Sequence, residues 1–210
     1  MQGVTQIDAT KVQITARQLN KDGTLSAPSS LPAVLHLESD GFYGVEGVAS
    51  TAGTVGQLGY APQWKASEDL TYQLPETACF VSANVRNLFQ TENGAEQGRW
   101  RVYKGTKEVG SGKFVAAAGA NTMTLGIQGS EPFDRIVFDG LDYLDMAKDS
   151  SKGADSSDYF VRITSYNTGV RTNIWFFFPG FNLGGDDVRG VSWVASPSLL
   201  AWSGELGRNG

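Results

Sequence analysis

Cysteine and histidine are nearly missing from this sequence of 210 residues. Cys79 has no partner cysteine, so an internal disulfide is excluded. One cysteine and one histidine, His36, cannot supply the nitrogen and sulfur ligands of a zinc site. His36 lies in a strand-like pattern, with no nucleophile beside it for activation. These shortages argue against an enzyme, although two of the 22 acidic residues could still form the carboxylate pair of a glycosidase.

Long apolar runs and an excess of positive charge are also missing. No segment reaches the roughly 18 apolar residues that a membrane-spanning helix needs. Residues 1–10 lack the charged and apolar regions of a signal peptide. The formal net charge of -5 and the isoelectric point of about 4.9 argue against a nucleic-acid partner. An acidic chain of this kind suits a protein that binds divalent cations.

Apolar and polar residues alternate with the period of two that is expected for half-buried β-strands. The turn at Lys104–Lys107 predicts a hairpin, and no window sustains a helical period. The 26 glycines suit many short strands joined by turns. The sequence therefore predicts an all-β fold, a jelly-roll-like β-sandwich with long calcium-binding loops, in one domain over residues 1–210. The predicted strands cover residues 10–16, 35–39, 69–74, 78–89, 100–104, 108–116, 122–127, 135–138, 159–165, 170–178, 191–194 and 199–202.

An acidic stretch lies between the predicted strands that end at Phe138 and begin at Tyr159. Its carboxylates would repel one another unless a cation binds among them, and calcium prefers six to eight oxygen ligands in flexible geometry. A solvated acidic loop at the end of a hairpin is the alternative interpretation. The aspartates of this stretch are Asp139, Asp142, Asp145, Asp149, Asp155 and Asp158.

Seven short blocks occur in the order GFYGVEG at 41–47, GQLGY at 56–60, SEDL at 67–70, VSANVRNLF at 81–89, GRWRVYKGTKEVGSGKF at 98–114, PFDRIVF at 132–138 and DSSDYFVRI at 155–163. In content and order they resemble the ligand-binding domains of bacterial RTX adhesins. These adhesins are very large calcium-dependent surface proteins that are exported by type I secretion. The resemblance covers roughly residues 40–166.

The resemblance implies a calcium-bound β-sandwich and a set of site residues. Glu68 of the SEDL block, with Asp155 and Asp158 of the DSSDY box, is expected to hold one Ca²⁺. Asp40 and the carbonyls of Gly41–Gly47 are further candidate ligands. A second constellation, suited to a calcium ion at the ligand site, comprises Asp139, Asp142 and Asp145. The residues expected to contact the ligand are Ser156, Ser157 and Tyr159.

The sequence leaves three hypotheses of function. The third of them is a purely structural spacer of a surface protein, in which calcium serves only to make the domain rigid. The first is a calcium-dependent cell-adhesion module without catalytic activity. It would be a monomeric domain of a longer adhesin, outside the cell and at the bacterial surface. Its partner would be a peptide, held by its terminal carboxylate, on a host or neighbouring cell. The alternative is a carbohydrate-binding module or a carbohydrate-active enzyme domain, with a glycan as the ligand.

Overall fold

The computed structural model describes residues 5–6, 11–47, 56–90, 94–144 and 157–168. These residues form 11 strands, all paired antiparallel, and contain no helix. The predicted all-β class is confirmed. The strands are β1 (Thr5–Gln6), β2 (Gln13–Arg17), β3 (Leu35–Leu37), β4 (Tyr43–Val45), β5 (Leu58–Ala61), β6 (Ala66–Ser67), β7 (Asp69–Arg86), β8 (Ala95–Lys104), β9 (Lys107–Val115), β10 (Thr122–Leu144) and β11 (Asp158–Asn167).

Two long neighbouring strands, β7 and β10, form the centre of the fold. They pair from Thr122 opposite Arg86 to Asp139 opposite Asp69. The other edge of β7 carries β2 along its first part and β11 along its last part. The strand order is β3-β4-β11-β7-β10-β8-β9, with β1, β2, β5 and β6 attached to the sides.

The alternation in the sequence predicts two strands where each of these long strands lies. In β7 the separating residues 75–77 are exposed, but the strand continues through them. In β10 the ladder to β7 shifts register between Gln128 and Arg135, and the strand again continues. Such bulges bend a strand without ending it, so the sheet can fold over on itself.

The folded sheet gives a sandwich with the core between its layers. The hydroxyl of Tyr72, in the first part of β7, donates a 2.9 Å hydrogen bond to the carbonyl of Val161. Val161 pairs with Val85, in the last part of the same β7 strand. The start of β7 therefore faces its own end across the interior, which supports the predicted sandwich. The largest fully buried apolar side chains are those of Tyr72, Tyr159, Phe133, Phe138, Leu58, Leu70, Leu88, Ile127 and Ile136.

The predicted hairpin is confirmed, whereas the acidic stretch begins later than predicted. Strands β8 and β9 pair up to Lys104 opposite Lys107, and Gly105 takes a positive φ of 59° in the turn between them. Strand β10 runs on to Leu144, so Asp139 and Asp142 lie in a strand and not in a loop. The pairing of Asp139 with Asp69 and Arg99 on the neighbouring strands stabilises this extension.

The described residues fall within one compact unit, Met1–Thr172. The single domain over residues 1–210 stays a prediction, because residues 169–210 lie outside the described residues. Across the ranges that the structure describes, no helix is long and apolar enough to cross a membrane.

The hydrogen bond from Tyr72 to Val161 is expected to stabilise the contact between the layers. Tyr72→Phe removes the donor and should lower the free energy of unfolding by about 1–2 kcal/mol, because a buried hydrogen bond is lost. Urea denaturation at neutral pH measures the change. Tyr103→Phe is the matched control, because the Tyr103 hydroxyl bonds an exposed carboxylate, Glu108. Equal stabilities of the two variants would contradict this role for Tyr72.

Candidate metal centre

Two predicted calcium ligands, Glu68 and Asp158, lie on either side of Gly59. The backbone N–H of Glu68 donates to the Gly59 carbonyl at 3.0 Å, and the Gly59 N–H donates to Glu68 Oε2 at 3.2 Å. Asp158 is the register partner of Gly59 between β11 and β5. Glu68 is fully buried and Asp158 is 6% exposed. The structure therefore brings together two acids that are separated by ninety positions in the chain.

One carboxylate oxygen of Glu68 is buried without a hydrogen-bond partner among the described residues. This atom, Oε1, lies 1.8 Å from the position that a Cβ at residue 47 would occupy. A side chain at residue 47 would therefore displace the Glu68 carboxylate, and glycine leaves room for it. Gly47 ends the glycine block that is expected to take part in the site. A buried and unsatisfied carboxylate oxygen carries a large desolvation cost, which a cation can offset.

The surroundings of Glu68 disfavour its charge. Burial raises the pKa of Glu68 from its ordinary 4.5 to about 8, and the negative charges of Asp158 and Asp69 act in the same direction. The backbone N–H groups of Gly59 and Leu19 oppose this shift, because they favour the ionised form. At neutral pH the site is thus stable either with a proton on Glu68 or with a positive ion beside it.

The residues present fit a hard divalent ion in donor type. Glu68 and Asp158 offer carboxylate oxygens, which calcium prefers. The third predicted ligand, Asp155, lies outside the described residues. Within the described ranges no group of three or more His, Cys, Asp or Glu side chains could hold a metal. Backbone carbonyls and water would have to complete the six to eight ligands of a calcium ion.

A buried acid that the sequence reasoning missed, Glu96, holds the backbone of this site. Its carboxylate accepts hydrogen bonds from the N–H groups of Phe89 and Asp158, the latter at 3.0 Å. It therefore fixes the position at which Asp158 enters β11. The alternation of β8 could have indicated it, because Glu96 shares parity with the buried Gly98 and Val102 and so faces inward.

The second predicted constellation is not brought together. Asp139 and Asp142 are three residues apart on β10, and this odd spacing turns their side chains to opposite faces. Asp139 is 3% exposed, and Arg99 (Nε to Oδ1, 2.9 Å) and Arg101 bind its carboxylate, whereas Asp142 is exposed. Two guanidinium groups thus occupy the place expected for calcium. Asp145 lies outside the described residues.

Asp40 also pairs with an arginine. Its carboxylate forms an ion pair with Arg86, and its carbonyl accepts a 2.9 Å hydrogen bond from Arg162. The guanidinium of Arg86 also lies 4.5 Å from the centre of the Phe42 ring. This partner explains the position of Asp40 without a metal.

Two of the residues that were expected to contact a ligand lie in the interior. Ser157 is fully buried, and its hydroxyl and carbonyl accept hydrogen bonds from the N–H groups of Gln97 and Tyr60, both at 3.0 Å. Tyr159 is fully buried, and its hydroxyl donates to the carbonyl of Asp139 at 2.7 Å. Neither side chain is open to a ligand, so the structure corrects both assignments. Ser156 lies outside the described residues.

No protein-family model and no curated protein sequence matches this chain. The F5/8 type C domain of a Bacteroides fragilis protein is similar in structure, with 12% identity, a TM-score of 0.39, and coverage of 80% of this chain and 98% of that one. The C-terminal domain of a B. fragilis chitobiase gives 12% identity, a TM-score of 0.37, and coverage of 78% and 100%. The structure of the M60 catalytic domain with two CBM51 domains of Clostridium perfringens ZmpB gives 10% identity and a TM-score of 0.24. This match covers 77% of this chain and 20% of that one. Similarity at this level assigns no family, and the resemblance to RTX adhesins stays a prediction.

The raised pKa of Glu68 predicts a pH-dependent stability when no divalent ion is present. Unfolded Glu68 ionises near pH 4.5 and folded Glu68 near pH 8. The folded state binds more protons in this window, so its stability should fall as the pH rises from about 4.5 to about 8. Glu68→Gln removes this titratable group. The wild type should lose on the order of 4 kcal/mol of unfolding free energy between pH 5 and pH 8 through Glu68, and the variant should not show this loss.

Urea denaturation in EDTA at pH 5 and pH 8 measures this difference. His36 also has a raised pKa, chiefly through its hydrogen bond to Glu46, and it loses stability in the same direction. Because His36 is present in both proteins, its contribution cancels in the comparison. Glu131→Gln, a substitution at an exposed ion pair with Lys107, is the matched control. A pH slope in Glu68→Gln as steep as that of the wild type would contradict the assignment.

Proposed function

We propose that this chain is a non-catalytic binding module with a calcium ion between Glu68 and Asp158. The observation that carries the proposal is the buried Oε1 of Glu68, which has no hydrogen-bond partner among the described residues and is near a second buried carboxylate. A divalent cation offsets the desolvation of both acids and their mutual repulsion. The ion would thereby join the start of β11 to the residue between β6 and β7, both of which contact Gly59 of β5.

The same burial favours a structural ion over one that presents a ligand. A calcium ion that captures a peptide carboxylate needs a coordination position open to solvent. Glu68 is fully buried and Asp158 is 6% exposed, so an ion held by these two side chains is shielded from solvent. We therefore propose that the ligand binds at another surface, and that the ion acts by holding the layers together.

A binding role without catalysis agrees with the state of the histidine. The ring nitrogens of His36 contact the carboxylates of Glu46 and Glu38, and hydrogen bonding to Glu46 raises the pKa of the imidazole. Because both ring nitrogens contact carboxylates of the protein itself, neither is open to take a proton from a substrate. The chain has one histidine and one cysteine, and the contacts of His36 with two carboxylates support a role in binding a partner.

Of the two ligand classes expected from the sequence, we propose a carbohydrate. A groove of about 470 Å³ on the outer face of the sheet is lined mainly by residues that carry hydroxyl, amide or guanidinium groups. Polar groups of these types match the hydroxyl groups of a sugar. As a surface module of a larger extracellular protein, which is the role that the adhesin resemblance implies, the chain would attach a cell to a glycan.

Calcium is expected to stabilise the folded protein, because an ion that binds only the folded state shifts the equilibrium toward it. At a calcium concentration about a hundredfold above Kd, Tm should rise by roughly 5–10 °C relative to EDTA. Differential scanning calorimetry at pH 7.5 measures the shift.

Asp158→Asn should lose most of this rise, because a carboxylate ligand becomes a neutral amide. The matched control, Asp142→Asn, removes an exposed carboxylate on β10 and should keep the full rise. Identical midpoints of the wild type with calcium and with EDTA would contradict the calcium site. Equal losses in the two variants would mean that other acids bind the ion.

A further inference from the structure

The outer face of the sheet carries a regular grid of side chains from β2, β7, β10 and β8. Residues in register across these strands form three rows. We call the hollow over this face the arginine groove. The first row is Arg17, Asp69, Asp139 and Arg99; the second is Thr15, Thr71, Val137 and Arg101; the third is Gln13, Gln73, Arg135 and Tyr103.

The side-chain lengths in these rows produce the hollow. The second row is short on three of its four strands, at Thr15, Thr71 and Val137, and forms the floor. Longer side chains line the hollow on both sides: Arg17 of the first row on one side, and Gln13, Gln73, Arg135 and Tyr103 of the third row on the other. The groove crosses the strands, and its lining also includes Pro28, whose neighbour Ser29 bridges to Ala16 of β2.

The groove has an excess of positive charge in a chain whose net charge is -5. Asp69 pairs with Arg17, and Asp139 pairs with Arg99 and Arg101. Arg135 has no ion pair among the described residues. Four guanidinium groups thus face two carboxylates, and both carboxylates are buried beneath them. Lys113 and Glu108, opposite Arg99 and Tyr103 on the outer strand β9, cancel each other.

Two guanidinium groups of the groove retain unused hydrogen-bonding capacity. The Nε atoms of Arg101 and Arg135 are buried and have no hydrogen-bond partner in the described part of the chain. Arg135 also lies over the ring of Tyr103, at 4.5 Å from its centre, which holds its plane in place. A planar and oriented guanidinium binds a carboxylate or a sulfate through two parallel hydrogen bonds.

We infer that the arginine groove is the ligand site and that it binds an acidic glycan. A carboxylate or sulfate of the glycan would lie between Arg135 and Arg101. Sugar hydroxyls would meet the hydroxyls of Thr15 and Thr71 and the amide of Gln13. Val137 and Pro28 are the only apolar residues among the described residues that line the groove, so it offers little for the alternate side chains of an extended peptide. This inference rests on the proposed carbohydrate-binding function and names the surface and ligand class.

The experiment compares four polymers by isothermal titration calorimetry in low salt with calcium present. Polygalacturonate carries carboxylates, dextran sulfate carries sulfates, dextran is the neutral glycan, and polyglutamate is the acidic peptide. The wild type is expected to bind one or both acidic glycans and to bind dextran and polyglutamate at least tenfold more weakly. Binding should weaken as salt is added, because the attraction is between charges at a surface.

Arg135→Gln should weaken binding of the acidic glycan by roughly tenfold to a hundredfold, the range for a lost hydrogen bond to a charged group. Arg135→Lys keeps the positive charge but loses the planar guanidinium, so its affinity for the acidic glycan should lie between those of the wild type and Arg135→Gln. Lys107→Gln is the matched control, because it removes one positive charge at the exposed β8–β9 turn, outside the groove. Circular dichroism and Tm confirm that each variant is folded.

Three results would overturn the inference. Equal losses in Arg135→Gln and Lys107→Gln would mean that polyanions are attracted by overall charge alone. Binding of polyglutamate as tight as that of the acidic glycans would assign the groove to acidic peptides. Glycan binding that Arg135→Gln leaves unchanged would move the ligand to another surface. The last result leaves the proposed binding function intact, and the calcium-dependent Tm shift is independent of all three.

Discussion

The arrangement of this protein depends on how it neutralises carboxylates that the fold removes from water. Glu68, Asp69, Glu96, Asp139 and Asp158 are all buried. On the outer face, arginine side chains form ion pairs with Asp69 and Asp139 and cover them. In the interior, Glu96 is satisfied by backbone N–H groups. Glu68 keeps one oxygen without a partner among the described residues, and a proton or the cation that we propose would neutralise it.

In the proposed function these two solutions separate structural support from recognition. The metal that we propose between Glu68 and Asp158 would join segments that are far apart in the chain, in the way that a disulfide would in a chain with more than one cysteine. The arginines, by contrast, must stay at the surface to cover their aspartates, and two of them, Arg17 and Arg101, therefore line the groove on the outer face. The same charge pairs that allow Asp69 and Asp139 to be buried thus create a cationic groove on an acidic protein.

Part of this arrangement could be read from local patterns. Strand alternation indicated the β class and the β8–β9 hairpin, since a period of two depends only on neighbouring residues. It failed where β7 and β10 pass through exposed or bulged positions, because pairing between the two strands resumes on both sides of those positions and keeps each chain segment in one strand. Glu68 and Asp158 were indicated by resemblance to a family and not by spacing, and Glu96 was missed although its parity in β8 points inward.

The sequence by itself determined the all-β class, the lack of disulfide and zinc chemistry, and the abundance of acids that must be neutralised. These properties follow from composition and local period. Only the tertiary structure decided which acids meet which cations. Asp139 pairs with arginines and Glu68 meets Asp158, because strand register brings together residues that are distant in the chain. Ser157 and Tyr159 became interior for the same reason, since β11 lies between β7 and the strands β4 and β5.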